Sequence, residues 1–440
     1  MQILRRIVAA LVVVALTLPS LATSVRTEPI LIELVTPGGP LPVEARLYVP
    51  SPGLVQSPLV GRVPTEAFLE LINGDESVRA DAVRVKSYAI PGGRMELFEA
   101  EFGDNVVRWE ASNAGGTRFG TGTYTVQRRN EVRTIPLTVR TVHEEGRRFD
   151  PMPDLDEGSR RGERFDGRFA VQFESDDNAS VGVFEVDADT GRATGTFLNA
   201  TGDYRFLEGR VDGPMMRLSA FDGQHAFLFT ATLRGPNGMA GSFWSGNWWH
   251  DTFTAQRNNN ATVADGFTQT SATVDKLTPV MLRELTFDVA NPGPQTASSV
   301  FEALPPGEPR LLYIFGSWCP NCRDATEKVV EFHDRYADRG LKVTGLAFEH
   351  DTQRAIQLAK TYAEKNAMEF PVLVGGFSDK TAATEKVPFL DKIRSYPTLV
   401  VIASDGTIAA VHSGWSGPAT GQAYTDQNIA IETAVRGIVR

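Results

Sequence analysis

The chain has 440 residues, a formal net charge of −10 and two cysteines. That length carries about two to four domains, each large enough for its own core, and the acidic balance argues against nucleic acid or an anionic membrane surface as a partner. With one close-spaced cysteine pair, the fold does not depend on disulfides for stability, which leaves the pair for chemistry.

At the N-terminus, Arg5 and Arg6 precede an uncharged apolar run over residues 7–18, then Pro19 and Ser20-Leu21-Ala22. The pattern predicts a secretory signal peptide over residues 1–22, because the run is too short to span a bilayer comfortably and a small-x-small site follows it. Cleavage after Ala22 removes the two arginines and leaves a net charge of −12. The expected address is the bacterial periplasm, with the chain soluble after cleavage or tethered if the signal is retained.

Residues 28–145 and 165–258 carry an internal echo. Thr123-Tyr124-Thr125-Val126-Gln127-Arg128-Arg129-Asn130 matches Thr252-Phe253-Thr254-Ala255-Gln256-Arg257-Asn258-Asn259 at five of eight positions. Both regions show short alternating runs bounded by turns, such as Val83 and Val85 against Arg84 and Lys86, or Phe169, Val171 and Phe173 against Arg168, Gln172 and Glu174. Two copies of one antiparallel all-β unit, each a sandwich or barrel, are expected, sharing a last strand that carries the echo. Trp244, Trp248 and Trp249 are read as hydrophobic core or a barrel plug ahead of a ligand-binding face. The charged, Pro/Gly-punctuated residues 146–164 and the polar residues 259–284 read as linkers.

From residue 285 the pattern alternates strands and helices. Apolar runs at 311–315, 341–348, 370–374 and 398–402 read as strands, with Asp405-Gly406 turning into 407–411. Helices are expected over 353–367, with Ile356, Ala359 and Ala363 on one face, and around Ile431, Val435 and Ile438. The order implies an α/β domain, a mixed sheet flanked by helices.

Trp318-Cys319-Pro320-Asn321-Cys322 follows the first of these strands, and Ala325, Val329, Phe332 and Tyr336 recur behind it at helical spacing up to Gly340. Cys319 therefore falls at the N-cap and Pro320 at the first helical position, where a missing N–H costs nothing. Helix-end N–H groups favour the thiolate, which makes Cys319 the nucleophile. Cys322, one turn further in, is placed to resolve a mixed disulfide. No cofactor beyond the redox-active disulfide Cys319–Cys322 is called for. Zinc lacks ligands, since the six histidines form no cluster with metal-ligand spacing. A structural disulfide across so short a loop would close little chain entropy. Copper held by the thiols and a distant histidine such as His412 is a further alternative.

These residues carry a family resemblance. Residues 285–440 resemble the TlpA/ResA-like thiol-disulfide oxidoreductases of the thioredoxin superfamily, in Ile314-Phe315-Gly316-Ser317-Trp318, in Cys319-Pro320-Asn321-Cys322 and in Ser395-Tyr396-Pro397-Thr398. The resemblance implies a thioredoxin-like fold and a cis bond before Pro397. It also implies a groove in which the Tyr396 backbone pairs with a partner segment while Trp318 and Pro320 support one side. It implies protein-disulfide reduction on an exported substrate, with electrons from a membrane thiol relay. Two positions depart from the pattern: Tyr313 and Ala325 stand where the superfamily carries acids, and Asp324 and Glu327 are out of phase to replace them. Peroxiredoxin-like thiol peroxidase activity is the alternative enzyme reading, although the positions matching its Pro-x-x-x-Thr-x-x-Cys pocket are Leu312 and Gly316. A third reading makes the β units the working part, a ligand-binding protein with an accessory redox or copper-handling domain.

Overall fold

The computed structural model describes residues 25–50, 66–91, 93–114, 117–128, 131–142, 148–149, 164–291, 295–299 and 307–439. The signal peptide expected over 1–22 and most of the linker expected over 146–164 lie outside the described residues.

Two antiparallel β domains precede an α/β domain. The first is an open nine-stranded half-barrel, whose strand order runs from Glu76–Arg79 through Gly39–Pro50 and Val25–Thr36 to Glu131–Thr141, and on to Ala82–Ile90. The second closes. Ser180–Val186 pairs with both Gly167–Phe173 and Arg192–Asn199, and the last strand Trp249–Arg257 returns to Gly167–Phe173, which leaves an eight-stranded barrel without a free edge. Its interior is filled by aromatic rings, Phe173, Phe197, Phe229, Phe243 and Phe253 among them, packed at centroid distances of 4.5–6.4 Å.

The echo does not mark a shared last strand. Thr123 to Arg128 lie on Thr117–Arg128, which Glu131–Thr141 follows and pairs with, whereas Thr252 to Arg257 lie on the strand that closes the barrel. Open and closed sheets therefore grow from similar local sequence, because closure is set by long-range pairing. The tryptophans are no barrel plug either. Trp244 and Trp248 pack between barrel and half-barrel, Arg128 sits 4.4 Å over the Trp248 ring, and Trp249 is 51% exposed. The two domains are locked by Asn73, which donates to the Phe221 carbonyl and accepts from the Phe221 N–H, each at 3.0 Å. Tyr124 adds a bond from its hydroxyl to the Gly223 carbonyl, at 3.1 Å.

Residues 259–284 are an ordered arm rather than a free linker. Leu277 and Leu282 are buried in the core of the α/β domain, Ala272 and Lys276 form bridges to Leu390 and Thr407, and Phe267 packs edge-on against His412. Polar composition concealed this because the few apolar residues are the ones that dock.

The α/β domain has a seven-stranded sheet. Its centre, Val372–Phe377, Lys342–Glu349 and Arg310–Phe315, is parallel, with Thr398–Ile402 and Ile408–Ser413 antiparallel on one side and Thr286–Asn291 and Gln295–Ser299 on the other. Helices Pro320–Tyr336, Ala355–Lys365 and Gln422–Ile438 flank it. Continuous burial along Arg310–Phe315 explains its unbroken apolar run, since both faces are covered. In Ala355–Lys365 the buried face is Ala355, Ala359, Tyr362 and Ala363, while Ile356 points outward. No helix among the described residues is long and apolar enough to cross a membrane.

Candidate redox site

Cys319 caps the Pro320–Tyr336 helix with extended backbone (φ −96°, ψ 115°), Pro320 opens the first turn, and the Cys322 N–H donates to Cys319 Sγ at 3.3 Å. The thiol thus receives one of the helix-end donors that a cap must satisfy. Cys319 Sγ also lies 3.5 Å from the Tyr396 carbonyl oxygen, and the Tyr396–Pro397 bond is cis, as the resemblance implied. Both cysteines are free thiols, Cys319 7% exposed and Cys322 fully buried. Burial pushes the Cys322 thiol well above the usual range, and its hydrogen bond with Cys319 adds to the effect. The arrangement separates a capping, outer sulfur from a proton-retaining inner one.

The remaining groove residues gather here. Trp318 donates its indole N–H to the Phe348 carbonyl at 2.9 Å, stacks on His350 at 4.1 Å and meets Tyr396 edge-on at 5.6 Å. His412 is elsewhere in the contact network, buried against Phe267 and Trp415, and burial holds it down to about 4. At the first departure from the family pattern, Tyr313 donates to the Cys322 carbonyl (2.7 Å) and joins Thr326 (2.8 Å), which in turn meets the Tyr362 hydroxyl (2.8 Å). Hydroxyls therefore fill the space behind Cys322. Ala325 is fully buried.

A carboxyl that sequence reasoning missed stands on the next strand. Glu349 accepts from the Ser317 N–H (3.1 Å) and the Ser317 hydroxyl (2.7 Å), two residues before Cys319. Burial pushes it up to about 8, against the pull of those two bonds. Parallel pairing of Phe315 with Ala347 sets Glu349 opposite Ser317. The visible signal was an acid directly after the apolar run Leu346-Ala347-Phe348.

The β domains complete the site. The barrel loop at residues 200–206 crosses the three segments around Cys319: the Thr201 carbonyl accepts from Ser395 Oγ (2.9 Å), Gly202 bridges Trp415, and Arg205 donates to Asp324 (2.5 Å) and the Pro320 carbonyl (3.4 Å). Gly202 has φ 153°, a conformation L side chains rarely adopt, and a Cβ there would stand 3.2 Å from the Trp415 carbonyl oxygen, so glycine suits the close approach. Tyr204 anchors the loop by inserting among Phe173, Phe197 and Phe243. Glu76 of the half-barrel accepts from both Arg205 and Arg323. Asp203 accepts from the Gly417 N–H, and burial, with the nearby Asp324 charge, pushes it up to about 7. Pro320, Ser395, Tyr396 and Pro397 are all buried, and the loop lies across Ser395, next to the Tyr396 backbone expected to receive a partner segment.

These features define a thioredoxin-superfamily domain with a dithiol centre at Cys319 and Cys322. The AhpC/TSA family matches residues 288–411. The DsbE thiol:disulfide interchange protein of Tatumella citrea is 34% identical over 113 residues, covering 26% of this chain and 56% of that protein. That of Yersinia pestis is 30% identical over 105 residues, covering 24% and 50%. The chain thus spans about half the length of the curated relatives it matches. A thioredoxin-family thiol:disulfide interchange protein from Chlorobium tepidum covers 34% of this chain and 92% of its own at 20% identity and a TM-score of 0.26. The C-terminal domain is accordingly a distant relative of DsbE-like proteins.

Proposed function

We propose that the chain is a thiol-disulfide oxidoreductase in which Cys319 attacks a disulfide and Cys322 resolves the mixed disulfide. The observation that carries this reading is the asymmetry of the pair, with Cys319 Sγ held by a helix-end N–H at 3.3 Å while Cys322 is sealed and keeps its proton. Attack by the Cys319 thiolate breaks the substrate S–S bond and releases one thiol. Loss of the Cys322 proton then lets its sulfur displace the second thiol, and the enzyme leaves as the disulfide. Export to the periplasm and refilling by a membrane thiol relay belong to the same proposal, and rest on the N-terminal pattern and the family resemblance.

Peroxide reduction is a second reading, favoured by the AhpC/TSA match. Cys319 would attack the peroxide and take one oxygen as sulfenic acid, releasing water or an alcohol, and Cys322 would then condense with it, releasing a water. Leu312 and Gly316 offer no hydroxyl for the peroxide.

Single-turnover experiments separate the readings. Cys319→Ser is expected to abolish oxidation by disulfides. Cys322→Ser is expected to retain attack and accumulate a mixed disulfide through Cys319. Oxidation of the reduced chain by hydrogen peroxide faster than by any disulfide would favour the peroxidase, and alkylation of Cys322 ahead of Cys319 would reverse the assigned roles.

A further inference from the structure

A cleft of about 240 Å³ opens between the half-barrel and the α/β domain, with Cys319 in its wall. That volume lies near the lower end of small-molecule sites, so the cleft has room for a small molecule beside the thiol. The half-barrel supplies Arg79 and Asp81 to its lining, and the α/β domain supplies Arg323, Thr361 and Lys365. Lys365 pairs with Asp81, and Arg323 lies 3.2 Å from Glu76, so ion pairs of both signs span the cleft. Because these charges already neutralise one another, the lining has little net charge and suits a ligand without strong net charge, such as a zwitterion, better than a polyanion or polycation. On the other side of Cys319, the barrel loop at residues 200–206 occupies the surface where an extended partner would lie.

From this geometry we infer that the substrate is a low-molecular-weight, zwitterionic disulfide of the amino-acid or short-peptide type, reaching Cys319 through the cleft. The inference rests on the oxidoreductase reading and names its acceptor. One substrate disulfide becomes two thiols, the two enzyme thiols become one disulfide, and the two protons leave with the products. A protein partner reaches Cys319 only after the barrel loop moves.

The test uses the reduced full chain, with cystine as the small disulfide and insulin as the protein disulfide, followed by loss of free thiol. Cystine is expected to oxidise the pair at least about tenfold faster than insulin at equal disulfide concentration. Thr361→Trp, at an exposed helix position on the cleft, is expected to slow cystine by about tenfold while leaving the reduction potential of the pair against dithiothreitol unchanged. Gln357→Trp, on the same wall, serves as a second blocking variant. Equal or faster oxidation by insulin, or full cystine rates in both variants, would overturn the inference. A pair that dithiothreitol buffers cannot oxidise at any poise would overturn the oxidoreductase reading itself.

Discussion

Glu349 is a carboxyl near the thiols whose protonation the fold controls within the ordinary pH range. Its folded-state value of about 8 lies above the ordinary 4.5, so the folded chain holds a proton that the unfolded chain gives up between those values. The corresponding stability is present at acid pH and lost as pH rises through about 8. At about 1.4 kcal/mol per pKa unit the loss amounts to a few kcal/mol. Glu349→Gln mimics the protonated form, so the variant should match the parent in urea unfolding at pH 5 and exceed it at pH 9. An unchanged pH slope would mean that Glu349 ionises freely in the folded chain. The cysteines were legible because capping and proline chemistry are local. Glu349 was not, because its meeting with Ser317 depends on the register of two strands with a helix between them.

At the scale of elements, the loop at residues 200–206 joins the barrel to the redox centre through Arg205, which is almost fully buried in a left-handed conformation (φ 66°). Its guanidinium bonds Asp324 and Glu76, and Asp222 lies 3.8 Å from its Nε. Removing one partner from a buried ion-pair network costs about 3–5 kcal/mol. Arg205→Ala should therefore loosen the loop and speed labelling of Cys319 by a bulky maleimide, by about tenfold for each 1.4 kcal/mol of docking lost. A drop in melting temperature without faster labelling would place the loop's hold on Tyr204 and Ser395 instead. Sequence pattern gave the strands and the all-β character of both units, since alternation is local. It did not give the open sheet, the closed barrel or this loop, because each depends on pairing between distant residues.

In the molecule as a whole, the redox domain ends neither at residue 285 nor at its own surface. Leu277 and Leu282 of the preceding arm are buried in its core, and on the Leu→Ala scale each contributes about 2–5 kcal/mol. A fragment of residues 259–440 should therefore be more stable to urea than one of 285–440, by several kcal/mol. The longer fragment also lacks every contact from Glu76, Asp81, Asp104, Thr201 and Arg205, which hold the half-barrel and barrel against the cysteine helix, the Ala355–Lys365 helix with its N-cap Arg354, and Ser395. Freed of that cover, its Cys319 should react with a bulky maleimide at least about tenfold faster than in the full chain, while a small reagent such as iodoacetamide gains less because the cleft already admits it. Insulin should likewise oxidise the reduced fragment faster than the reduced full chain. Equal maleimide and insulin rates in fragment and full chain would show that the β domains do not shield the thiol, and would return the site to an open groove for protein partners.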